Sequence, residues 1–374
     1  MTAELPPIRV LHLIETGGPG GAERMLLDLV RHLGPGYTST LGLLKPGWLQ
    51  TTATLASIPS VLLAGNALGD FGTLRKTFQF VRANEIQLLH THEFYMNLVG
   101  AIIARVSRIP HVATLHGKKY HTEKRRRRAF YRFAAKRTSR LVAVSQDLQK
   151  FLCAHFNVSQ DKVAMIYNGI DLSPFADVQR NPQLLESLGI SVDAFIVGTV
   201  GNLYALKGHT YLIRAAHGVM QKRPNTHLLI LGRGELKNPL EQEAKALGIA
   251  DRVHLLGYRD DTPRWLGVMN VFVLSSLSEG LPLSLLEAMA SSLPTIVTQI
   301  GGMPEVVREG ETGVVVPPGD CEALTKSIPF FHDNPNIAKQ YGRAGRIVVF
   351  EDFSVDRMVH QYRSLYREVL AGKS

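Results

Sequence analysis

Two glutamates, Glu279 and Glu287, bracket the segment Gly280-Leu281-Pro282-Leu283 and the short apolar run that follows it. Ionised carboxylates only accept hydrogen bonds, so a pair of them can hold the vicinal hydroxyls of a ribose and a hexose. Gly280, Leu281 and Pro282 read as a turn. A helix beginning near Pro282 would use proline at its first position, where the missing N–H costs nothing. The start of that helix would turn its free amides and partial positive charge toward a ligand. Glu279 then lies in the loop and Glu287 about one and a half turns into the helix. Acids at this spacing are common, but the enclosed Gly-Leu-Pro and the following Ala-Met-Ala make the pattern specific.

Other candidates stand just after apolar runs. Lys207 lies in Gly201-Asn202-Leu-Tyr-Ala-Leu-Lys207-Gly208. It can neutralise a diphosphate as its bond to carbon breaks, or it can be a solvated surface lysine. Arg233, in Gly232-Arg-Gly-Glu235, can line a nucleotide. His116 ends the run from His111 and can donate a hydrogen bond, move a proton or be structural. His90 and His92 are weaker candidates of the same kind. The loop Thr16-Gly-Gly-Pro-Gly20-Gly21-Ala-Glu23 allows close backbone approach at a helix start, which suits an anion. It is not a dinucleotide fingerprint, because the third glycine of that pattern falls at Glu23. Glu305, in Gly301-Gly-Met-Pro-Glu305, is either ligand-facing or a first-turn helix acid.

These residues need strands to carry them. Short buried runs are expected at 8–13, 87–90, 111–115, 141–144 and 163–166. The pattern restarts at 195–200, 228–231, 253–256, 271–274, 295–297 and 313–316, with helical periodicity between. Continuous apolar strands alternating with helices imply parallel sheets covered on both faces. Two such series imply two doubly wound α/β domains, with ligands at the carboxyl ends of the strands in the cleft they enclose. The expected divisions are 1–175, 176–352 and a final segment 353–374. In the last, Val355, Met358, Val359, Tyr362, Leu365, Tyr366 and Val369 share one helical face, with Ser354 as N-cap.

Composition narrows the class. The chain has 374 residues, 45% hydrophobic and 20% charged, with a formal charge of +10. No apolar run reaches the roughly 18 residues of a membrane span, and the first nine residues lack a signal-peptide core. Cys153 and Cys321 are far apart and not in a metal-type spacing, which argues against a disulfide framework or zinc site and suits two buried thiols in a reducing cytoplasm. Eleven Lys or Arg residues fall between Lys118 and Arg140, interleaved with Tyr120, Phe130, Tyr131 and Phe133. Such a stretch can lie on an anionic bilayer or be a solvated helix. Nucleic acid is not expected, because the charge is local and no recognition motif accompanies it. No Asp-x-Asp stands at a strand end, so no metal is expected.

The residues resemble family 4 retaining glycosyltransferases of the GT-B fold (glycosyltransferase group 1). The landmarks are Gly20 to Glu23, Thr-Leu-His-Gly ending at Gly117, Val-Ala-Val-Ser ending at Ser145 and Ile-Tyr-Asn-Gly-Ile-Asp ending at Asp171. Lys207-Gly208, the Glu279–Glu287 pair, Gly301 to Glu305 and Gly313 follow in the same order. The resemblance implies that Glu287 binds the ribose, that Glu279 holds sugar hydroxyls with the amides around Gly280 to Leu283, and that Lys207 binds the diphosphate. It further implies that His116 touches the sugar, that Gly20 and Gly21 border the phosphate or acceptor, and that the last helix crosses back to the first domain.

Its implied reaction is sugar transfer from a nucleotide sugar, a uridine diphosphate sugar first, to a glycan or lipid-linked hydroxyl. Retention would come by a front-face route without a metal or other cofactor. The expected place is cytoplasmic, peripheral on the inner face of the membrane, in polysaccharide or glycolipid synthesis. Members often carry arginine where this chain has Asn202, a loss that Lys207, Arg24, Arg233 or Arg259 would offset. A nucleotide-sugar epimerase of the same architecture and a non-catalytic nucleotide-sugar binder are the rival readings.

Overall fold

The computed structural model describes residues 6–64, 71–118 and 125–372, with side chains from residue 127 onward in the last segment. Tyr120, Lys119 and Lys124 of the basic stretch lie outside the described residues. The chain forms two compact units, one of residues 1–169 with 355–374 and one of residues 170–354.

The first unit holds a seven-stranded parallel sheet. Its strands are β1 (Ile8–Ile14), β2 (Tyr37–Leu43), β3 (Ser60–Leu62), β4 (Leu88–His92), β5 (His111–Leu115), β6 (Arg140–Ala143) and β7 (Val163–Met165), in the order β3-β2-β1-β4-β5-β6-β7. Strands β2 and β3 are not among the expected runs. Tyr37-Thr-Ser-Thr has no apolar continuity because the first half of β2 is only partly covered, and β3 is a short edge. The central strands are fully buried, as two-sided cover requires.

The final helix, Val355–Ala371, belongs to this first unit. All seven residues of its apolar face are buried. Its Tyr362 and Tyr366 hydroxyls reach Thr114 at 3.1 Å and His90 at 2.6 Å.

The second unit holds a six-stranded parallel sheet in the order β10-β9-β8-β11-β12-β13. These strands are β8 (Phe195–Val200), β9 (Thr226–Leu231), β10 (Val253–Gly257), β11 (Val271–Leu274), β12 (Thr295–Thr298) and β13 (Gly313–Val316). Its core joins Val197, Leu228, Ile230, Val271, Val273 and Ile296 of the sheet to Leu212, Ile213, Ala216 and Val219 of the helix His209–Lys222.

Both sheets reverse their strand order once, at β1/β4 and at β8/β11. At such a reversal the flanking helices depart to opposite faces and leave a crevice at the strands' carboxyl ends. Each unit therefore nominates its own place for chemistry.

Candidate functional site

In the second unit, the loop after β8 carries Lys207 and the loop after β11 carries Glu279, so the two flank the reversal. Lys207 ends a single 3-10 turn, Ala205–Lys207, stopped by Gly208 in a left-handed conformation. Its Nζ lies 2.6 Å from Glu279 Oε1, and the glutamate side chain is only 8% exposed. Ser276 Oγ donates to the same oxygen at 2.7 Å. Glu279 Oε2 has no partner among the described residues, so it remains an open acceptor.

Neighbouring loops hold this pair in place. Leu277 N donates to Leu206 O at 2.7 Å, Ser275 Oγ to Gly208 O at 2.9 Å, and Thr298 Oγ1 to Ser276 O at 2.6 Å. Gly302 N donates to Gly280 O at 2.6 Å. A Cβ on Gly301 would fall 2.5 Å from Glu279 O, so the loop after β12 packs directly on the backbone of the acid. The loop after β9 closes the other side, where Leu203 N donates to Arg233 O at 2.9 Å.

The remaining candidates of this unit surround the pair. Pro282 caps the helix Leu283–Ala290 from outside, in extended conformation, rather than occupying its first turn as expected. The shift leaves the amides of the first turn free of proline. Leu281 and Leu283 are buried, and Glu287, in the second turn, is 8% exposed. Asn202 takes part through its backbone, with its carbonyl accepting from Tyr204 N at 2.8 Å and sharing a 3.3 Å contact with the His209 ring. Arg233 is exposed, with its guanidinium 6.0 Å from the Tyr258 ring, and Arg259 lies against Trp265. Glu305 sits in the first turn of the short helix Met303–Val306.

In the first unit, Gly20 caps and Gly21 begins the helix Gly21–His32 after β1. Glu23 folds back over Gly20, close enough that a Cβ there would strike its carboxylate, and Glu23 is 5% exposed. A Cβ on Gly21 would meet nothing within 4 Å. Across the reversal, Glu93 follows β4 with φ 68° and ψ 169°, an unfavourable conformation for a residue with a side chain. Burial, then Glu23 and Glu15, push its carboxyl up to about 8. Thr16 Oγ1 donates to Glu23 Oε1 at 2.6 Å and stands 3.2 Å from Glu93 Oε2. The Thr16 hydroxyl is thus shared between the two carboxylates, and its hydrogen bonds partly oppose the upward shift of Glu93.

His116 follows β5, half-buried, with Nε2 3.1 Å from Nδ1 of the fully buried His92. Burial depresses His116 to about 4 and holds His90 and His92 well below the ordinary imidazole range. These rings are neutral at physiological pH. His12, His90 and His92 place ring nitrogens within 4.8 Å of one another. Both nitrogens of His90 are already engaged, by Tyr366 and by Thr114 at 2.8 Å.

Other expectations are corrected. Cys153 and Cys321 are half-buried rather than buried, and burial raises both thiols. Tyr131 of the basic stretch faces the core at 1% exposed, because it stacks on Phe94 and lies against Phe156. Thr16, Glu93, Ser276 and His209 do not stand out from sequence. Glu93 follows a strand end directly, which is a usable signal once β4 is known to border β1.

Two parallel-sheet units, each with its polar residues at a strand-order reversal, have the architecture of the GT-B fold. Residues 19–174 match the family model for Glycosyltransferase Family 4, and residues 181–348 match that for Glycosyl transferases group 1. The chain belongs to this family of glycosyltransferases. It is 28% identical over 336 residues to the Escherichia coli UDP-Gal:alpha-D-GlcNAc-diphosphoundecaprenol alpha-1,3-galactosyltransferase, covering 87% of each chain. It is 28% identical over 307 residues to the Bacillus anthracis N-acetyl-alpha-D-glucosaminyl L-malate synthase, covering 80% of each. The fold is shared with Anabaena Alr3699/HepE in complex with UDP-glucose, with a TM-score of 0.86 at 24% identity, covering 96% of this chain and 100% of that one.

Proposed function

We propose that this glycosyltransferase takes a hexose from a nucleoside diphosphate sugar, a uridine diphosphate sugar first. It delivers the sugar, with retention of configuration, to a hydroxyl of a lipid-linked or glycan acceptor. The carrying observation is the Lys207–Glu279 pair at the β8/β11 reversal. A bound diphosphate would compete with Glu279 for the Lys207 ammonium, which then stabilises the charge that develops as the sugar leaves. Glu279, through its open Oε2, accepts from a sugar hydroxyl. Glu287 accepts from the ribose, and the amides of Gly280, Leu281 and Leu283 add donors. His116, Gly20 and Gly21 serve the same reaction from the first unit, and Arg233 offers the charge that Asn202 lacks. The galactosyltransferase relative, named for UDP-Gal and a diphosphoundecaprenol acceptor, supports the donor and acceptor class. The reaction is metal-independent in this reading, since positioning and fixed charge supply the catalysis.

The acceptor class also draws on the surface of the first unit. The helices Phe94–Ser107 and Arg125–Arg137 pack together and expose Ile102, Val106, Phe130 and Phe133 at 46–64% among arginines. Aromatic and aliphatic side chains beside cations suit an anionic bilayer, each cation near it contributing about 1 kcal/mol. The reading places the protein peripherally on the inner face of the membrane, in cell-surface polysaccharide or glycolipid synthesis.

Nucleotide release from a panel of nucleoside diphosphate sugars, with excess chelator and with or without a lipid-linked acceptor, tests the chemistry. Acceptor-dependent release supports transfer. Change of the sugar without acceptor would favour the epimerase reading. Sedimentation with phosphatidylglycerol and phosphatidylcholine vesicles tests the surface, where equal binding to both would remove the membrane assignment.

A further inference from the structure

His92 touches nothing that the proposed reaction uses except His116, and its geometry restricts what His116 can do. Strands β4 and β5 pair in parallel, with His92 opposite Thr114, which brings the next outward position, His116, over His92. The two rings stack with centroids 5.4 Å apart and 22° between planes. His92 Nδ1 and His116 Nε2 share the only hydrogen bond that either ring makes among the described residues. His92 Nε2 is buried without a partner among the described residues. Nδ1 of His116 is the ring nitrogen left open.

Two neutral imidazoles that share one N···N bond have one proton in it, and the two placements are not equivalent. If His116 donates from Nε2, His92 accepts at Nδ1 and carries its own proton on Nε2. That proton would be a buried N–H with no acceptor, a rare and costly arrangement. If His92 donates from Nδ1, its Nε2 is a bare buried lone pair, the lesser penalty. His116 then accepts at Nε2 and carries its proton on Nδ1.

We infer that His92 is a positioning residue that fixes His116 as the Nδ1–H tautomer, so that His116 offers a bound sugar a hydrogen-bond donor and not a base. The inference rests on the proposed function only for the identity of the ligand. The tautomer is a property of the first unit alone. The consequence is that the acceptor's proton does not go to His116. It must leave by another group, such as the departing diphosphate.

Nitrogen-15 NMR of the full chain labelled at histidine, without ligand at neutral pH, reads the tautomer directly. The expected result is a His116 Nδ1 resonance at the protonated position and Nε2 at the unprotonated one. The reverse pattern would overturn the inference. His92→Asn retains a donor near Nδ1, and His92→Phe retains the ring without one. His92→Asn should keep the tautomer and a donor-sugar KM within about threefold of wild type, whereas His92→Phe should mix the tautomers and raise that KM about tenfold or more. Equal loss in both variants with an unmoved tautomer would reduce His92 to a packing role and overturn the inference. A wild-type tautomer as expected, in a protein that turns over no nucleotide sugar, would instead strike the functional reading and leave the His92–His116 relation standing.

Discussion

Glu93 is the residue at which the electrostatics of the first unit can be tested most cleanly. Its carboxyl is ordinarily at 4.5 and is raised to about 8 by burial and by two neighbouring acids. A raised pKa means that the unfolded chain ionises first. The stabilising contribution is complete below about pH 4.5 and is lost progressively as the pH rises to about 8. Each tenfold change in proton affinity corresponds to about 1.4 kcal/mol, so the effect across this window amounts to a few kcal/mol. Glu93→Gln keeps an acceptor for Thr16 and removes the charge. Urea denaturation should show the variant close to wild type near pH 5 and more stable than wild type by a few kcal/mol near pH 8. Parallel pH profiles would contradict the assignment. The same residue shows what sequence conceals. After His-Thr-His, a glutamate reads as an ordinary helix-start acid. Its proximity to Thr16 and Glu23 exists because β4 adds beside β1, across two other strands in the chain, and residue type does not encode that neighbour. Lys207 and Glu279 were each legible, because a cation and an acid after apolar runs stand out. Their 2.6 Å contact depends on β11 adding beside β8.

At the scale of elements, the loops of the second unit fit so closely that glycine is required at their contacts. Gly208 has φ 66°, and a Cβ there would fall 2.0 Å from the carbonyl oxygen of Ser275. The left-handed conformation alone costs a non-glycine residue about 1–2 kcal/mol. The backbone clash adds to it and pushes the β8 and β11 loops apart, and Lys207 from Glu279 with them. Gly208→Ala should therefore lose roughly 2–4 kcal/mol of stability, and nucleotide affinity should fall more than stability does. Denaturant titration and calorimetry with uridine diphosphate check the two effects separately. An alanine variant with wild-type stability would show that the loops have more room than their hydrogen bonds imply. The central strands were legible as elements because burial on both faces makes them continuously apolar. Strand β2 was not, since Tyr37-Thr-Ser-Thr meets solvent along one end.

At the scale of the molecule, the first unit is discontinuous. The helix Val355–Ala371 returns to it after the whole second unit has been made. The periodic face of that helix was plain in sequence, whereas its partners, His90 and Thr114 beneath Tyr366 and Tyr362, were not. Burying each large apolar side chain contributes about 1.5–3 kcal/mol, and seven such positions together rival the net stability of a domain. A fragment of residues 170–354, with its own core, should fold by itself. A fragment of residues 1–169 should not, and the peptide 355–374 added in trans should restore it. Circular dichroism and proteolysis distinguish the cases. A cooperatively folded 1–169 fragment would contradict the account of the helix.

The central claim is that Lys207 and Glu279 together grip the donor at the β8/β11 reversal. Steady-state turnover of the best nucleoside diphosphate sugar by wild type, Lys207→Ala and Glu279→Ala, each first shown to be folded, tests it most directly. The account predicts that each variant loses at least about a hundredfold in kcat/KM, as expected when a preorganised charge at the leaving group or an acceptor at the sugar is removed. Wild-type turnover in both variants would place the donor site elsewhere.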